Sequence, residues 1–196
     1  MGRATALKVG MWMFLISDAF TFAGLLLAYA VLRAGAEAWH QPGEPHFGIN
    51  FTAALTFLLI CSSVTMVAAV AACQDGKRGK TLTFLGLTIL GGLLFLCGQY
   101  HEYFGINGPG LIEEGLHFGA SHRATTFFVI TSFHGFHVFS GVVILCVMFV
   151  NTARGHYDNG NHDAIEATGL FWHFVDLVWI LVFTFVYLIP EPRPLP

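Results

Sequence analysis

Apolar residues in this chain gather in long blocks instead of alternating with polar ones at a surface-helix or strand period. A bilayer core of about 30 Å takes about 20 apolar residues in a helix. Five windows reach that length, at about 11–32, 51–72, 82–100, 124–150 and 169–189. The pattern predicts an all-α integral membrane protein with five transmembrane helices, residues 1–196 forming a single membrane domain. Arg3 and Lys8 precede a run holding Ala28, Tyr29 and Ala30 in the order of a signal-peptidase site. That run is too long for a signal core and is broken by Asp18, so the first block is expected to stay in place as a helix.

Few polar side chains interrupt the blocks, and the second and third windows contain no charged residue. The first carries Asp18, the fourth His134 and His137, and the fifth His173 and Asp176. An ionised group in hydrocarbon costs about 2.5–3.5 kcal/mol even on the lenient insertion scale, so each of these needs a partner or a function. Asp18 and Asp176 both lie seven residues into their windows from the same side, about 10 Å deep at 1.5 Å per residue. With no Lys or Arg inside a window, each is expected to carry a proton or to bond to Ser17, His173 or a neighbouring hydroxyl.

On the fifth helix Glu166, His173 and Asp176 fall within an arc of roughly 80°. They serve either as interhelical hydrogen-bond glue or in proton handling. His134 and His137 stand at i and i+3 and could share a metal or haem. A metal site needs three or four ligands, however, and Gly135, Ser140 and Gly141 beside them suit close helix packing. The reading favoured is packed histidines with no metal. Glu102 lies among Tyr100, His101 and Tyr103 where the third helix leaves the membrane, the setting of an interfacial tyrosine belt.

Composition narrows the class. The chain of 196 residues is 55% hydrophobic and only 11% charged, with a net charge of −3. Soluble domains carry about 25% charged residues, and nine Lys and Arg give no basic surface for nucleic acid. Cys61, Cys73, Cys97 and Cys146 form no CxxC pair and read as packing residues. Six of the nine cations, Arg3, Lys8, Lys77, Arg78, Lys80 and Arg154, fall on one side of the membrane, against Arg33, Arg123 and Arg193 on the other. The positive-inside rule then puts the N-terminus in the cytoplasm and the C-terminus outside.

Four segments together resemble one family. The run FFVITSFHGFHVFSG, Phe127 to Gly141, resembles the penultimate helix of subunit III of the haem-copper terminal oxidases, and FWHFVDLVW, Phe171 to Trp179, resembles its last-helix signature. QYHEYF, Gln99 to Phe104, is similar to its middle-helix motif, and MWMFLISDAFTF, Met11 to Phe22, to the first helix of its shorter members. The match spreads over nearly the whole chain, in the family's order.

The resemblance implies the short five-helix bacterial form, in a bacterial cytoplasmic (inner) membrane. The family's helices form two bundles around a cleft that holds phospholipid. It implies a non-catalytic subunit of a cytochrome c oxidase that stabilises subunit I and supports proton uptake while oxygen is reduced to water. No redox centre is expected on this chain, with haem and copper on partner subunits. Subunit II, small subunits and a respiratory supercomplex are further partners, and bound phospholipid is expected near His134, His137, Trp172 and Trp179. Asp18 falls where longer members carry an intramembrane glutamate. Glu102, His134, His137, Glu166, His173 and Asp176 match the motifs as a proton-handling or structural polar cluster. Subunit III of a quinol oxidase is the near alternative. An independent proton channel or transporter, or a membrane haem protein using His134 and His137, are alternatives of other classes.

Overall fold

The computed structural model describes residues 6–36, 39–40, 43–45, 47–105, 108–157 and 162–189. Arg3, Arg193 and the proline-rich tail, used above for orientation, lie outside the described residues. Five helices follow in order: α1 (Ala6–Ala34), α2 (Ile49–Gln74), α3 (Arg78–Phe104), α4 (His122–Ala153) and α5 (Asp163–Val182), the last continued by a π-helical turn (Phe183–Leu188). All five are long and apolar enough to cross a membrane, as the block pattern predicts.

Each of the first four helices, and α5 together with its π turn, is longer than its apolar window, because polar residues at the ends stay helical once paired. Lys8 and Asp163, both outside the windows, lie in α1 and α5 and meet at 2.8 Å. Asp18 and Asp176 therefore stand about 18–20 Å along their helices, deeper than the windows suggested. The α2–α3 turn spans only Asp75 to Lys77. Gly76 within it adopts φ +69°, a left-handed conformation glycine takes at little cost. Ser121 caps α4 by accepting a bond from the Ala124 amide.

In lipid there is no hydrophobic force between helices, so association depends on close packing and polar contacts. The α2–α3 pair shows the first. A Cβ on Gly91 would stand 2.6 Å from Ser62 Cβ, and one on Gly98 would stand 2.4 Å from Leu55 Cδ2. Thr65 and Thr88 hydroxyls meet at 2.8 Å one turn further along. Each step forward on α2 is matched by an equal step back on α3, the register of an antiparallel pair. Helix α3 packs on α4 and α4 on α5, and α5 closes the bundle against α2.

Helix α1 lies against α5 and α4. Its buried residues Leu15, Phe22 and Tyr29 recur every seven positions, with Asp18 beside them, a narrow coiled-coil-like seam. Its remaining faces carry exposed Trp12, Met13, Ile16, Phe20, Leu27 and Val31. Cys73 is buried, but Cys61, Cys97 and Cys146 are exposed, so three of the four cysteines face outward instead of filling the core. The resemblance implied two bundles around a cleft; here the five described helices form one bundle, with one groove between α1 and the π turn and another between α2 and α5.

Candidate functional site

The buried polar residues sort into separate contacts at different heights. Asp18 and His137 form a pair midway along α1. The imidazole Nε2 lies 3.2 Å from a carboxylate oxygen of Asp18, and both side chains are buried. The other ring nitrogen, Nδ1, lies 2.8 Å from the Phe133 carbonyl. A carbonyl only accepts, so Nδ1 carries a hydrogen. That leaves Nε2 facing the Asp18 carboxyl, so the two polar groups meet each other instead of lipid.

This corrects the partners expected from sequence. Asp18 meets His137; Ser17 instead donates to the Phe14 carbonyl at 2.7 Å, and His173 faces Ser63. His137 also packs between Phe22 and Phe133, with ring centroids at 5.2 and 4.7 Å.

His134, one turn earlier on the same helix, meets different neighbours. It is fully buried, stacked on Trp179 at 4.7 Å and edge-on to Phe95 at 5.6 Å. Neither of its nitrogens has a hydrogen-bond partner. The i, i+3 spacing thus sends the two imidazoles to different neighbours. Among the described residues no three His, Cys, Asp or Glu side chains converge as a metal site.

His173 Nδ1 meets Ser63 Oγ of α2 at 2.7 Å. Asp176 follows one turn along α5, and its Oδ1 is buried with no hydrogen-bond partner. His173 and Asp176 share the arc predicted for them. Glu166 does not join them in the interior. It lies at the bundle end, 2.5 Å from Lys8 Nζ, and accepts a bond from Gln74 Nε2 at 2.7 Å. The reason is local: Lys8 reaches both Asp163 and Glu166 from α1.

Glu102 likewise departs from the tyrosine-belt expectation. Tyr187 donates to its carboxylate at 3.1–3.2 Å and Thr52 to the same group at 3.2 Å, so it ties α3 to α2 and to the π turn. Tyr103 turns inward to Gln99 and Thr131, at 3.1 and 2.5 Å. Tyr100 alone of the two flanking tyrosines is exposed.

His134, His137, Trp172 and Trp179, expected beside lipid, are enclosed by protein, none more than 7% exposed. The indole N–H of Trp172 donates to Ser62 Oγ at 3.1 Å, and that of Trp179 to Thr56 Oγ1 at 2.9 Å.

Three further contacts were missed from sequence. Arg123, itself buried, bonds Glu44 at 2.9 Å and stacks 4.2 Å over Phe47. Arg33 donates to Tyr29 and to the Ile189 carbonyl, each at 2.9 Å, capping the end of the π turn. Arg78 donates to the Ala153 carbonyl, joining α3 to the end of α4. The signal for them in sequence is only that each arginine borders a window. One groove of about 470 Å³ follows α1 beside the π turn, with Arg33 at its end, and one of about 380 Å³ lies between α2 and α5, with Lys8 at its edge.

Comparison with known proteins places these features. Residues 2–190 match the model of the family described as cytochrome c oxidase subunit III. Cytochrome c oxidase subunit 3 of Synechocystis sp. is 36% identical over 181 residues, 92% of this chain and 74% of the relative. That of Corynebacterium diphtheriae is 33% identical over 192 residues, 96% of this chain and 91% of the relative. The cytochrome bo(3) ubiquinol oxidase subunit 3 of Pseudomonas putida is 34% identical over 188 residues, 96% of this chain and 87% of the relative.

Proposed function

The chain belongs to the cytochrome c oxidase subunit III family, and from that premise we propose that it is the non-catalytic, multi-pass subunit III of a bacterial haem-copper terminal oxidase. It packs against subunit I in the cytoplasmic membrane, with its N-terminus inside, and steadies proton uptake while oxygen is reduced to water. Haem and copper sit on partner subunits. The observation that carries this reading is the whole-chain family match, joined to a bundle in which Asp18 and Glu102 are engaged in contacts between helices. Such contacts suit a rigid support. A transport path would need ionisable groups lined up from face to face.

Phospholipid binding is part of the proposal. The groove lined by Leu26, Leu27, Ala30, Phe185 and Ile189, with Arg33 at its end, has the chemistry of an acyl-chain slot under an anionic headgroup. That support comes from the groove; His134, His137, Trp172 and Trp179 touch protein. Subunit II, small subunits and a supercomplex are proposed as further neighbours by family membership alone.

Purification in mild detergent tests the reading. The expected result is a colourless isolated chain that comes down with a larger haem-bearing subunit. Proton flux from the chain alone in liposomes, or a Soret band in the isolated chain, would overturn it. Oxidation of reduced cytochrome c or of quinol by the purified assembly distinguishes the two oxidase forms; the Pseudomonas putida relative is the observation that favours the second.

A further inference from the structure

The first half of α5 turns a polar face to a groove. Glu166, Gly169 and His173 stand at i, i+3 and i+7, so they share one side of the helix. All three line the groove of about 380 Å³ between α2 and α5. Gly169, between the carboxylate and the imidazole, adds no side chain to the floor. Val67, Val70 and Ala71 of α2 wall the groove with hydrocarbon, while Gln74 of α2 and Lys8 of α1 stand at its end. His173 is part-buried, and its Nδ1 is held by Ser63 Oγ at 2.7 Å. Its Nε2 is then the nitrogen left for an occupant of the groove, and a hydrocarbon chain alone offers it no hydrogen bond.

We infer that this groove holds one phospholipid whose headgroup carries a primary ammonium. The end of the groove sets a cation beside an anion, since Lys8 Nζ lies 2.5 Å from Glu166. The lipid phosphate meets Lys8. The ammonium of the same headgroup meets Glu166 and Oε1 of Gln74, whose Nε2 already donates to Glu166 at 2.7 Å. Deeper in the groove, an ester carbonyl of the lipid accepts from His173 Nε2–H, the tautomer set when the Ser63 hydroxyl donates to Nδ1.

The spacing suits such a molecule. Glu166 and His173 are about 10 Å apart along the helix, and helical side chains lean toward the N-terminus, which brings the imidazole back toward Glu166. The headgroup layer is about 5–7 Å thick on each side of a bilayer, so a phosphate at Lys8 puts the glycerol esters near that ring. An acyl chain leaving the ester runs on past Val67 and Val64, both exposed on α2. Headgroup chemistry selects among lipids. An anionic headgroup without an ammonium brings its charge beside both Glu166 and Asp163, with Lys8 already paired to each. A trimethylammonium headgroup has no N–H to give to Glu166 or Gln74. The site is separate from the groove at Arg33, which lies at the opposite end of α1.

The inference deepens the phospholipid-binding part of the proposed function and rests on it for the class of molecule. It is read on the chain without partner subunits, so its failure and that of the oxidase assignment are told apart. The full chain is placed in nanodiscs of phosphatidylethanolamine, phosphatidylcholine and phosphatidylglycerol in equal parts and released into mild detergent. Retained lipids are counted by native mass spectrometry. Ala71→Trp and Val67→Phe fill the groove separately, from exposed positions, and each should remove one lipid from the count. That lipid should be the ethanolamine form, by about tenfold over either of the others. Glu166→Gln should reduce the preference to about twofold, and His173→Phe should weaken retention about tenfold with the preference kept. Unfolding midpoints in mixed micelles, measured on every sample, show which variants keep the bundle. A lost lipid that is choline or glycerol as often as ethanolamine, or an unchanged count in a folded filling variant, would overturn the site.

Discussion

Trp172 is held between two glycines, and adding one carbon to either should be felt across the bundle. A Cβ on Gly92 of α3 would stand 2.6 Å from Trp172 Cη2 and 2.7 Å from Val142 Cγ2. Carbon atoms settle at about 3.5–4.0 Å, so the indole or α3 must retreat by roughly 1 Å. Retreat toward α4 is blocked, because Gly141 lies so close that a Cβ there would meet Cζ3 at 2.9 Å. The same movement strains the 3.1 Å bond from the indole N–H to Ser62. Overpacking of this kind costs about 1–3 kcal/mol. A side-chain hydrogen bond in a membrane protein adds about 0.6 kcal/mol. The helix propensity gained on replacing glycine by alanine offsets about 1 kcal/mol.

Gly24 of α1, with no atom within 4 Å of its ideal Cβ, provides the contrast. Gly24→Ala should keep the propensity gain without the clash. The two alanines should therefore differ by about 2–4 kcal/mol in reversible unfolding in mixed micelles, with altered indole emission only in Gly92→Ala. Equal stability of the two variants, with unchanged emission, would refute the wedge and the close approach of α3, α4 and α5 that it represents.

The remaining predictions concern paired charges. A double-mutant cycle on Asp18→Asn and His137→Gln should give a coupling of roughly 0.5–3 kcal/mol in the same unfolding assay; additive behaviour would mean that the 3.2 Å contact does not hold α1 to α4. In an assembled oxidase, Asp18→Ala should shorten active life and leave the haem spectrum unaltered, measured as oxygen consumption against time. Arg123→Ala leaves the Glu44 carboxylate buried without its guanidinium, a loss of about 3–5 kcal/mol, and should open the segment around Glu44 and Pro45 to limited proteolysis. At the α2–α3 turn, the Lys77 ammonium 2.7 Å from Asp75 holds that carboxyl below its usual range. Its contribution is therefore present above the ordinary carboxylate range and lost as pH falls through the lowered value. Both side chains are more than half exposed, so Asp75→Asn should leave stability unchanged, and a carbon-detected titration should show the depressed midpoint.

The five spans were legible because lipid imposes a length, and a run such as Phe51 to Ala72 meets it whatever its neighbours. Helix ends were less so. Lys8, Asp163 and Glu166 look like residues that stop a span until their mutual pairing is known. The arc of His173 and Asp176 could be read from helical phase, since both lie on one helix. The partner of Asp18 could not, because phase gives the face a residue occupies and not the helix opposite. Glu102 shows the same limit: its partners Thr52 and Tyr187 come from two other elements, and Tyr187 reaches it from a π turn that no pattern in Phe183 to Leu188 announces.

How α1 is attached explains why its polar residues matter. Its buried seam is narrow, with Leu15, Phe22 and Tyr29 on one side and broad apolar faces left outward. Lipid chains can satisfy those faces as well as protein can, so apolar contact alone does not fix the height or rotation of the helix. Three polar contacts do. Lys8 meets Asp163 and Glu166 at one end, Asp18 meets His137 in the middle, and Arg33 meets the Ile189 carbonyl at the other end. Each fastens α1 to α4, to α5 or to its π turn, and each sits at a different level, so sliding by one helical turn would break all three together. The same contacts help set the grooves at the two ends of α1, since Arg33 lines the one beside the π turn and Lys8 borders the one between α2 and α5. Register, groove shape and the position of the buried acid are therefore one property of this helix, and a substitution at Asp18 tests them jointly.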